Sequence, residues 1–327
     1  MLKVVDCYSN QIIEDLSGCW ALLWHWDHGQ PRDLLVARDI ILVAEQMGLK
    51  VFPNIDTCWH FDNKLSQKYA LGAIGAPLAD TYIFFDKEKA MEWARESNWP
   101  MVFKLRRGAG SINVKLVRTR YQAQRIIERS FGRGHTIYGS PFTDISAKFR
   151  RTASAKKLFE VLPKLPARIM KLRKDNKLAP RERGYAYFQE FLPNNDHDTR
   201  VTIIGNRAFA FRRSVRFGDF RASGSGLIDH ARNHIDIECV KIALEAAKRL
   251  GSQSMAFDFA YDGKRHPRIL EMSYAYAADA VFKCPGYWDD RLKWYGGHIW
   301  PQDAILDDLL NSPRHRAWSW ISESGSR

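Results

Sequence analysis

The feature that most restricts the fold is a pair of predicted strands joined directly by a glycine-rich loop. Met101–Leu105 and Ile112–Val117 are rich in β-forming residues, and the loop between them contains Gly108 and Gly110. In P-loop and Rossmann proteins the phosphate-binding glycine loop instead leads from a strand into a helix. The order strand, loop, strand therefore argues against both of those folds.

The composition indicates a folded chain with more than one lobe. The 327 residues are 45% hydrophobic and 27% charged, which excludes disorder, collagen and coiled coil as the main character. No apolar run reaches the roughly 18 residues that a membrane-spanning helix needs. The first residues carry acids where a signal peptide has an apolar stretch, and the five cysteines are too few and scattered for a disulfide scaffold. We expect a cytoplasmic protein.

Alternating helix and strand patterns predict an α/β or α+β protein in four parts. Residues 1–60 predict a short α/β lobe, and residues 61–135 predict a second lobe that contains the glycine loop. A basic insertion follows at 136–184. A third lobe and a tail occupy 185–327.

The basic insertion concentrates the positive charge of the chain. The whole chain has a net charge of +13, and 13 basic against three acidic residues place +10 of it between Lys148 and Arg183. One interpretation is a solvated, mobile segment. The other is contact with an anionic partner, and the apolar residues among the charges favour an amphipathic segment on an acidic glycan or on the cytoplasmic membrane face. Nucleic acid is less favoured because no nucleic-acid motif accompanies the charge.

Two carboxylates lie in a predicted hairpin near the end of the third lobe. Asp258 precedes the turn residue Gly263 by five positions and Glu271 follows it by eight, so the two side chains could share one face. Paired carboxylates are the oxygen ligands that Mg²⁺ with nucleotide phosphates prefers. The alternative is a pair of acids at strand ends that face water.

Two lysines and the glycine loop have the chemistry of a phosphate site. Lys64 begins a predicted helix and Lys104 ends the strand before the loop. An ammonium group is a compact donor to phosphate oxygens, and small residues at 108–111 would let backbone N–H groups approach a phosphate. Such a loop alone is weak evidence, because most Gly-Ala-Gly stretches are turns.

Taken in order, these features resemble the ATP-grasp superfamily. Asn63-Lys64-Leu65 through Gly75-Ala76-Pro77 resembles the helix that opens the nucleotide-binding part of D-alanine–D-alanine ligases. Asp198-Thr199-Arg200 and Gly218-Asp219-Phe220-Arg221 resemble the ribosomal-protein glutamate ligase branch. The resemblance covers about residues 60 to 280 and implies an ATP-grasp fold, in which two β-rich lobes clamp ATP behind a short α/β N-terminal lobe.

The resemblance also implies roles for individual residues. Lys64 and Lys104 would hold the α- and β-phosphates of ATP, and the loop would close over the β/γ end. An interlobe hinge would read adenine through its backbone, and Asp198 would lie near the ribose. The implied nucleotide-binding set is Lys64, Lys104, Gly108, Gly110, Ser111, Gln189, Glu190, Phe191, Leu192, Asp198 and Arg200.

The implied metal site departs from the family pattern at one position. Asp258 and Glu271 would hold Mg²⁺, and most of the superfamily has Asn two residues after this Glu. Here that position is Ser273. A hydroxyl is a weaker neutral ligand than an amide oxygen, which puts the second metal position in doubt.

An arginine cluster surrounds the glycine-rich segment at 218–226. It comprises Arg212, Arg213, Arg216 and Arg221, and it suits either a solvated loop or an anionic centre. Guanidinium groups match a carboxylate and a phosphate-bearing intermediate. We expect Arg221 and one of Arg212 and Arg213 to act in catalysis.

A second cluster, in the N-terminal lobe, allows three interpretations. Trp24-His25-Trp26-Asp27-His28 and Cys58-Trp59-His60 contain side chains that can bind Zn²⁺, but no second well-spaced pair completes a site. A loop that stacks on a sugar is a second interpretation, and packing of the tryptophans in the core is a third.

Three functions fit these observations. The first is an ATP-dependent carboxylate–amine ligase, acting on an acidic substrate such as a uronic-acid glycan in polysaccharide biosynthesis or an acidic peptide. The second is a kinase of the same fold, with His230 or His234 as the acid–base group. The third is a nucleotide-binding scaffold at an anionic surface, which only Ser273 supports.

Overall fold

The computed structural model describes most of the chain outside the basic insertion. The described residues are 2–108, 113–136, 181–216, 219–222, 224 and 226–312. Predictions that concern Gly110, Ser111 and residues 137–180 lie outside these ranges. Within the described ranges, no helix combines the length and the apolar character needed to cross a membrane.

The N-terminal part forms a small α/β unit around two parallel strands. Strand β1, Ala21–Leu23, pairs with β2, Lys50–Phe52. Parallel strands need a crossover connection, which is helix α2, Pro31–Gln46, as the apolar spacing after Asp33 predicts. The flanking helices are α1, Ile12–Leu16, α3, Ile55–Cys58, and α4, Lys64–Ala73.

The second part is a four-stranded antiparallel sheet with two helices packed on it. The strand order is β3-β6-β4-β5. The sheet has its own core, in which Phe103 and Phe188 are buried against the helices. The elements are β3, Thr81–Phe84, α5, Lys87–Glu96, β4, Met101–Lys104, β5, Val114–Val117, α6, Arg120–Phe131, and β6, Ala186–Glu190.

The third part is a seven-stranded antiparallel sheet. Its order is β11-β10-β7-β8-β12-β13, and β9 also pairs with β8. Every residue of β10, which lies between β11 and β7, is buried. The strands are β7, His197–Ile204, β8, Arg207–Ser214, β9, Ile228–Asp229, β10, Ser254–Tyr261, β11, Pro267–Ser273, β12, Gly286–Trp288, and β13, Trp294–Gly296. The helices are α7, Ile237–Leu250, α8, Ala278–Phe282, and α9, Pro301–Asn311.

One hydrophobic core joins the N-terminal unit to the large sheet. Trp26 and Ile41 from the N-terminal unit share it with Phe257 from β10. The hydroxyl of Tyr274 donates a hydrogen bond of 2.6 Å to the carbonyl oxygen of Trp26. The shared core fixes the start of the chain against the end of β11, beside the predicted metal ligands.

Local capping explains several element boundaries that the sequence predicts. The side chain of Asn63 accepts a hydrogen bond from the N–H of Ser66 at the start of α4, and Asp86 does the same for Lys89 in α5. Gly251 ends α7 in the left-handed conformation, with φ +66°. The aromatic-rich tail from Trp288, whose sequence has no pattern that predicts an element, contains β13 and α9.

Gly205, in the turn of the β7–β8 hairpin, combines a left-handed backbone conformation with a close neighbour. Its φ is +55°, and a β-carbon there would collide with the carboxylate of Asp308 in α9. We expect Gly205→Ala to lower the free energy of unfolding by at least about 1–2 kcal/mol, since a side chain is disfavoured in the left-handed region. Gly263→Ala is the matched control, because a β-carbon at Gly263 meets open space. Urea unfolding should place the control within about 0.5 kcal/mol of wild type, and equal losses in both variants would contradict the prediction.

Candidate functional site

Two cavities lie on either side of a shared wall on the large sheet. Asp258 and Glu271 line both cavities, so the carboxylate pair forms the wall. The first cavity lies between the small and the large sheet. Its lining includes Lys104, Gln189, Glu190, Phe191, Leu192, Asn195, His197, Asp198, Phe220 and Arg221. The second cavity, of about 530 Å³, is lined by His25, Asp27, Arg200, Ser273 and Tyr276 among others.

Strand register brings the carboxylates together. Asp258 in β10 lies directly opposite Glu271 in β11, with a bulge after Asp258. On its other side, Asp258 lies opposite Arg200 in β7. Side chains at directly opposed positions point to the same face of a sheet. The register therefore confirms that the two carboxylates share one face.

A chain of ion pairs crosses this face. Arg200 donates two hydrogen bonds to the carboxylate of Asp258, at 2.6 and 2.8 Å. Arg213 donates two to Asp198, at 2.7 and 2.6 Å, and its Nη2 also lies 2.8 Å from Asp258 Oδ2. Burial alone would raise the pKa of Asp258, but Arg200 and Arg213 outweigh it and hold that pKa well below its ordinary value. Asp258 is therefore ionised and firmly held.

Lys104 is buried without a carboxylate partner at salt-bridge distance among the described residues. Its Nζ donates to Gln189 Oε1 at 2.6 Å and to the carbonyl oxygen of Leu270 at 3.2 Å. Burial lowers the pKa of Lys104 to about 8, and the more distant charge of Glu271 only partly offsets this effect. A buried ammonium that is hydrogen-bonded only to neutral oxygens is a site for an anion.

Lys64 connects the glycine loop to the carboxylate pair. Its Nζ lies 2.8 Å from Glu271 Oε1 and donates to the carbonyl oxygen of Gly108, also at 2.8 Å. The N–H of Gly108 donates to the Asp62 carboxylate at 2.9 Å. The start of α4 and the entry to the glycine loop are therefore held against the end of β11. The sequence did not single out Asp62.

Strand alternation separates Arg212 from Arg213. Arg213 lies on the same face as Asp198, whereas Arg212, opposite Thr199, lies on the other face, where its charge acts on the Cys239 thiol of α7. Arg212 is thus placed away from the carboxylate pair, and of the two arginines it is Arg213 that contacts Asp258. The guanidinium of Arg213 is already paired with the carboxylates of Asp198 and Asp258. The sequence instead predicts an arginine that faces the substrate.

Arg221 lines the first cavity, as a residue near the substrate would. Its side chain donates to both carboxylate oxygens of Asp219, at 2.9 and 2.8 Å. Arg216 instead donates to the carbonyl oxygen of Gly224. Arg221 is therefore positioned by its neighbour in the segment that the sequence singled out.

The segment predicted as an interlobe hinge spans the end of β6 and the residues that follow. Glu190, Phe191 and Leu192 line the first cavity, and the ring of Phe220 makes an edge contact with Phe191. The side chain of Gln189 accepts a hydrogen bond from Lys104, and its Nε2 donates to Thr81. This side chain therefore lies at the Lys104 end of the cavity.

The donor set around the wall can hold a cation only together with other ligands. Among the described residues, no group of three or more His, Cys, Asp or Glu side chains is placed to share a metal. Ser273 lines the second cavity, and its hydroxyl donates to the carbonyl oxygen of Ala275 at 2.9 Å. Asp258 and Glu271 fit Mg²⁺ if phosphate oxygens and water complete its shell, as they usually do for this ion.

The N-terminal Trp/His cluster belongs mainly to the core. Trp26 is fully buried, with its ring edge-on to Phe61 and near Tyr274. Cys58 and His60 are also buried. His25 is the exception, because it lines the second cavity.

Sequence reasoning missed several residues of the two cavities. The Nδ1 atom of His197 contacts Asp196 at 2.5 Å, and its buried Nε2 has no hydrogen-bond partner within the described ranges. Asn195 bonds both backbone groups of Tyr261 and so fixes the chain after the hinge. The signal was present in Asn195–Asp198, a polar run between the hinge and a strand. Asp27 and Tyr276, by contrast, line the same cavity only because the N-terminal unit packs beside β11.

Comparisons with known proteins bear on the fold. No protein-family model matches the chain, and no curated protein matches it. Among solved structures, the biotin carboxylase of Campylobacter jejuni superposes with a TM-score of 0.56 and 13% identity over 92% of this chain and 57% of that one. The biotin carboxylase domain of the Hydrogenobacter thermophilus 2-oxoglutarate carboxylase gives 0.55 and 13%, over 94% and 57%.

A third structure agrees with these two. N5-carboxyaminoimidazole ribonucleotide synthetase from Thermotoga maritima gives a TM-score of 0.54 and 13% identity over 93% of this chain and 62% of that one. The chain thus spans about three fifths of the length of these structures. All three are ATP-grasp proteins. The chain has the ATP-grasp fold.

Proposed function

We propose that this chain is an ATP-dependent ligase that activates a carboxylate and joins it to an amine. The observation that carries the proposal is the shared wall, because Asp258 and Glu271 separate a cavity with a buried ammonium from a second, polar cavity. A phosphoryl donor in the first cavity and an acid in the second would meet at this wall.

The first cavity suits the nucleotide. Lys104 and Lys64 would bind phosphate oxygens, the backbone of Glu190 to Leu192 would read the adenine edge, and the free Nε2 of His197 is available to a ribose hydroxyl. The cavity volume is about 120 Å³, below the roughly 300–1,000 Å³ of most small-molecule sites. Binding of a whole nucleotide therefore requires the two sheets to separate.

The chemistry needs little covalent work from the protein. The carboxylate oxygen of the substrate attacks the γ-phosphorus, the bond to the β-bridging oxygen breaks, and ADP leaves. The amine then attacks the acyl-phosphate and phosphate departs. Held by Asp258 and Glu271, Mg²⁺ would neutralise phosphate charge. The residues act mainly by positioning the reactants and balancing their charge.

The charged residues of the second cavity and the basic segment support a class of substrate. Asp27 and Glu271 in the second cavity suit an incoming amine, and Arg200 suits a carboxylate. The basic segment at 148–183 lies almost wholly outside the described residues, and its charge of +10 favours a large acidic substrate. An acidic glycan that contains uronic acid, or an acidic peptide, has this chemistry.

The two alternative functions have less support. The kinase hypothesis assigns the acid–base role to His230 or His234, yet neither lines either cavity. The Nε2 of His230 lies 2.9 Å from the carbonyl oxygen of Ala280, and His234 contacts Asp229. The scaffold hypothesis predicts nucleotide binding without turnover.

The reaction can be tested with hydroxylamine as the amine. We expect the chain, given ATP, Mg²⁺ and a mixture of uronic acids and acidic peptides, to form a hydroxamate together with one phosphate. Mass spectrometry identifies the acid, and a mixture of amino acids should then replace hydroxylamine. A phosphorylated product formed without any amine would indicate the kinase. Nucleotide binding without phosphate release for any acid–amine pair would overturn the ligase.

Lys104 should carry much of the nucleotide affinity. A hydrogen bond to a charged group contributes about 1.5–3 kcal/mol, so Lys104→Met should weaken binding of Mg²⁺·AMP-PNP by about 10- to 150-fold. Lys115→Met is the matched control, because Lys115 lies on the neighbouring strand, pairs with Phe103 and is exposed. Isothermal titration calorimetry measures both constants, and equal effects in the two variants would contradict the assignment.

Nucleotide binding should depend on pH through Lys104. The free protein loses the Lys104 proton with a pKa of about 8. Because phosphate binds the ammonium form, affinity should fall as the pH rises above that value, by up to about tenfold per pH unit, with proton uptake on binding. Calorimetry in buffers of different ionisation enthalpy measures the uptake. Lys104→Arg stays charged, so its affinity should lose this slope, and an unchanged slope would assign the titration to another group.

A further inference from the structure

Arg200 links the carboxylate wall to the second cavity. It lines that cavity, and its guanidinium covers the Asp258 carboxylate with two hydrogen bonds of 2.6 and 2.8 Å. The Arg200 side chain is 19% exposed and that of Asp258 is 11% exposed. Arg200 is therefore held by Asp258 but borders open space on the substrate side.

These contacts occupy the oxygens that a cation would need. Both carboxylate oxygens of Asp258 accept from Arg200, and Oδ2 also lies 2.8 Å from Arg213. A carboxylate has about four lone-pair positions, and a divalent cation beside a guanidinium adds like-charge repulsion at short range. A cation on Asp258 and the bidentate Arg200 contact therefore oppose each other.

The two arginines differ in what holds them. Arg213 has a second partner, because it donates two hydrogen bonds to Asp198, and its side chain is only 9% exposed. The hydrogen bonds of the Arg200 side chain within the described residues go to Asp258 alone. Arg213 can stay in place when Asp258 changes partner, so Arg200 is the arginine that moves.

We propose that Arg200 leaves Asp258 when that carboxylate takes up the nucleotide-bound cation, and that it then binds the carboxylate of the acid substrate in the second cavity. This inference rests on the proposed function. It makes the binding of metal–nucleotide and of acid mutually favourable, since each ligand strengthens the binding of the other. It also means that the acid is held weakly until the phosphoryl donor is in place.

The test measures the accessibility of Arg200 without any acid substrate or turnover. Phenylglyoxal modifies free guanidinium groups, and peptide mass spectrometry gives the rate at each arginine. With the wild-type protein and Mg²⁺·AMP-PNP, we expect labelling of Arg200 to rise by about fivefold or more, within the usual range of coupling between sites. AMP-PNP with EDTA should give no rise. Arg207 is the control, because it is paired with Asp308 at 2.9 Å, is 22% exposed and lines neither cavity.

Calorimetry on the same samples distinguishes a failure of the proposed Arg200 release from a failure of the proposed function. If Mg²⁺·AMP-PNP binds but the labelling of Arg200 stays equal to that without ligand, or falls, the proposed release is wrong while the nucleotide site stands. If Mg²⁺·AMP-PNP does not bind, the proposed function itself fails. In Asp258→Asn, which removes the competing charge, Arg200 should label rapidly without any ligand. The wild-type comparison stays decisive if this variant does not fold.

Discussion

The site depends on one buried carboxylate that is shared by two guanidinium groups. Asp258 lies on strand β10 of the large sheet and accepts hydrogen bonds from Arg200, while Arg213 bridges it to Asp198. Removing one partner of such a buried set leaves an uncompensated charge, which is far more costly than the net contribution of the pair. The ion pairs therefore fix the geometry of the face more than they add stability. Because Asp258 and Glu271 are opposed on adjacent strands, this geometry also sets the boundary between the two cavities.

Side-chain alternation explains how one sheet serves both packing and chemistry. On β7, Asp198 and Arg200 line the cavities, whereas Val201 and Ile203 belong to the hydrophobic core that includes residues of α7. Arg212 and Arg213 are adjacent in sequence, yet alternation places them on opposite faces of the sheet. A shift of one residue in the pairing of β8 would exchange them. The register of β8 against β7 thus decides which of the two arginines reaches Asp198 and Asp258.

The sequence was sufficient for features that depend on local order. The start of α4 at Lys64 and the hairpin that carries Asp258 and Glu271 depend on short segments of sequence, and the structure has both. The roles of Gln189 and Arg212 could not be predicted in this way. Gln189 holds Lys104 across 85 positions of sequence, and the face of Arg212 depends on which residue of β7 it opposes. Both depend on strand pairing, which composition and periodicity do not specify.

The charges on the wall also limit how the ligands can arrive. Four cations, Lys64, Lys104, Arg200 and Arg213, face three carboxylates, Asp198, Asp258 and Glu271. Because three of these cations are already paired with carboxylates, they cannot by themselves balance a triphosphate in a poorly solvated cleft, where unpaired charge is costly. Under the proposed function, the triphosphate would bring a divalent cation with it, and that cation would take over carboxylates that now neutralise Arg200 and Lys64. Each displaced cation would then be available to an anion on its own side of the wall, Lys64 to phosphate and Arg200 to the acid. The ion pairs of the free protein thus keep the charge of the site balanced until the ligands that replace them arrive.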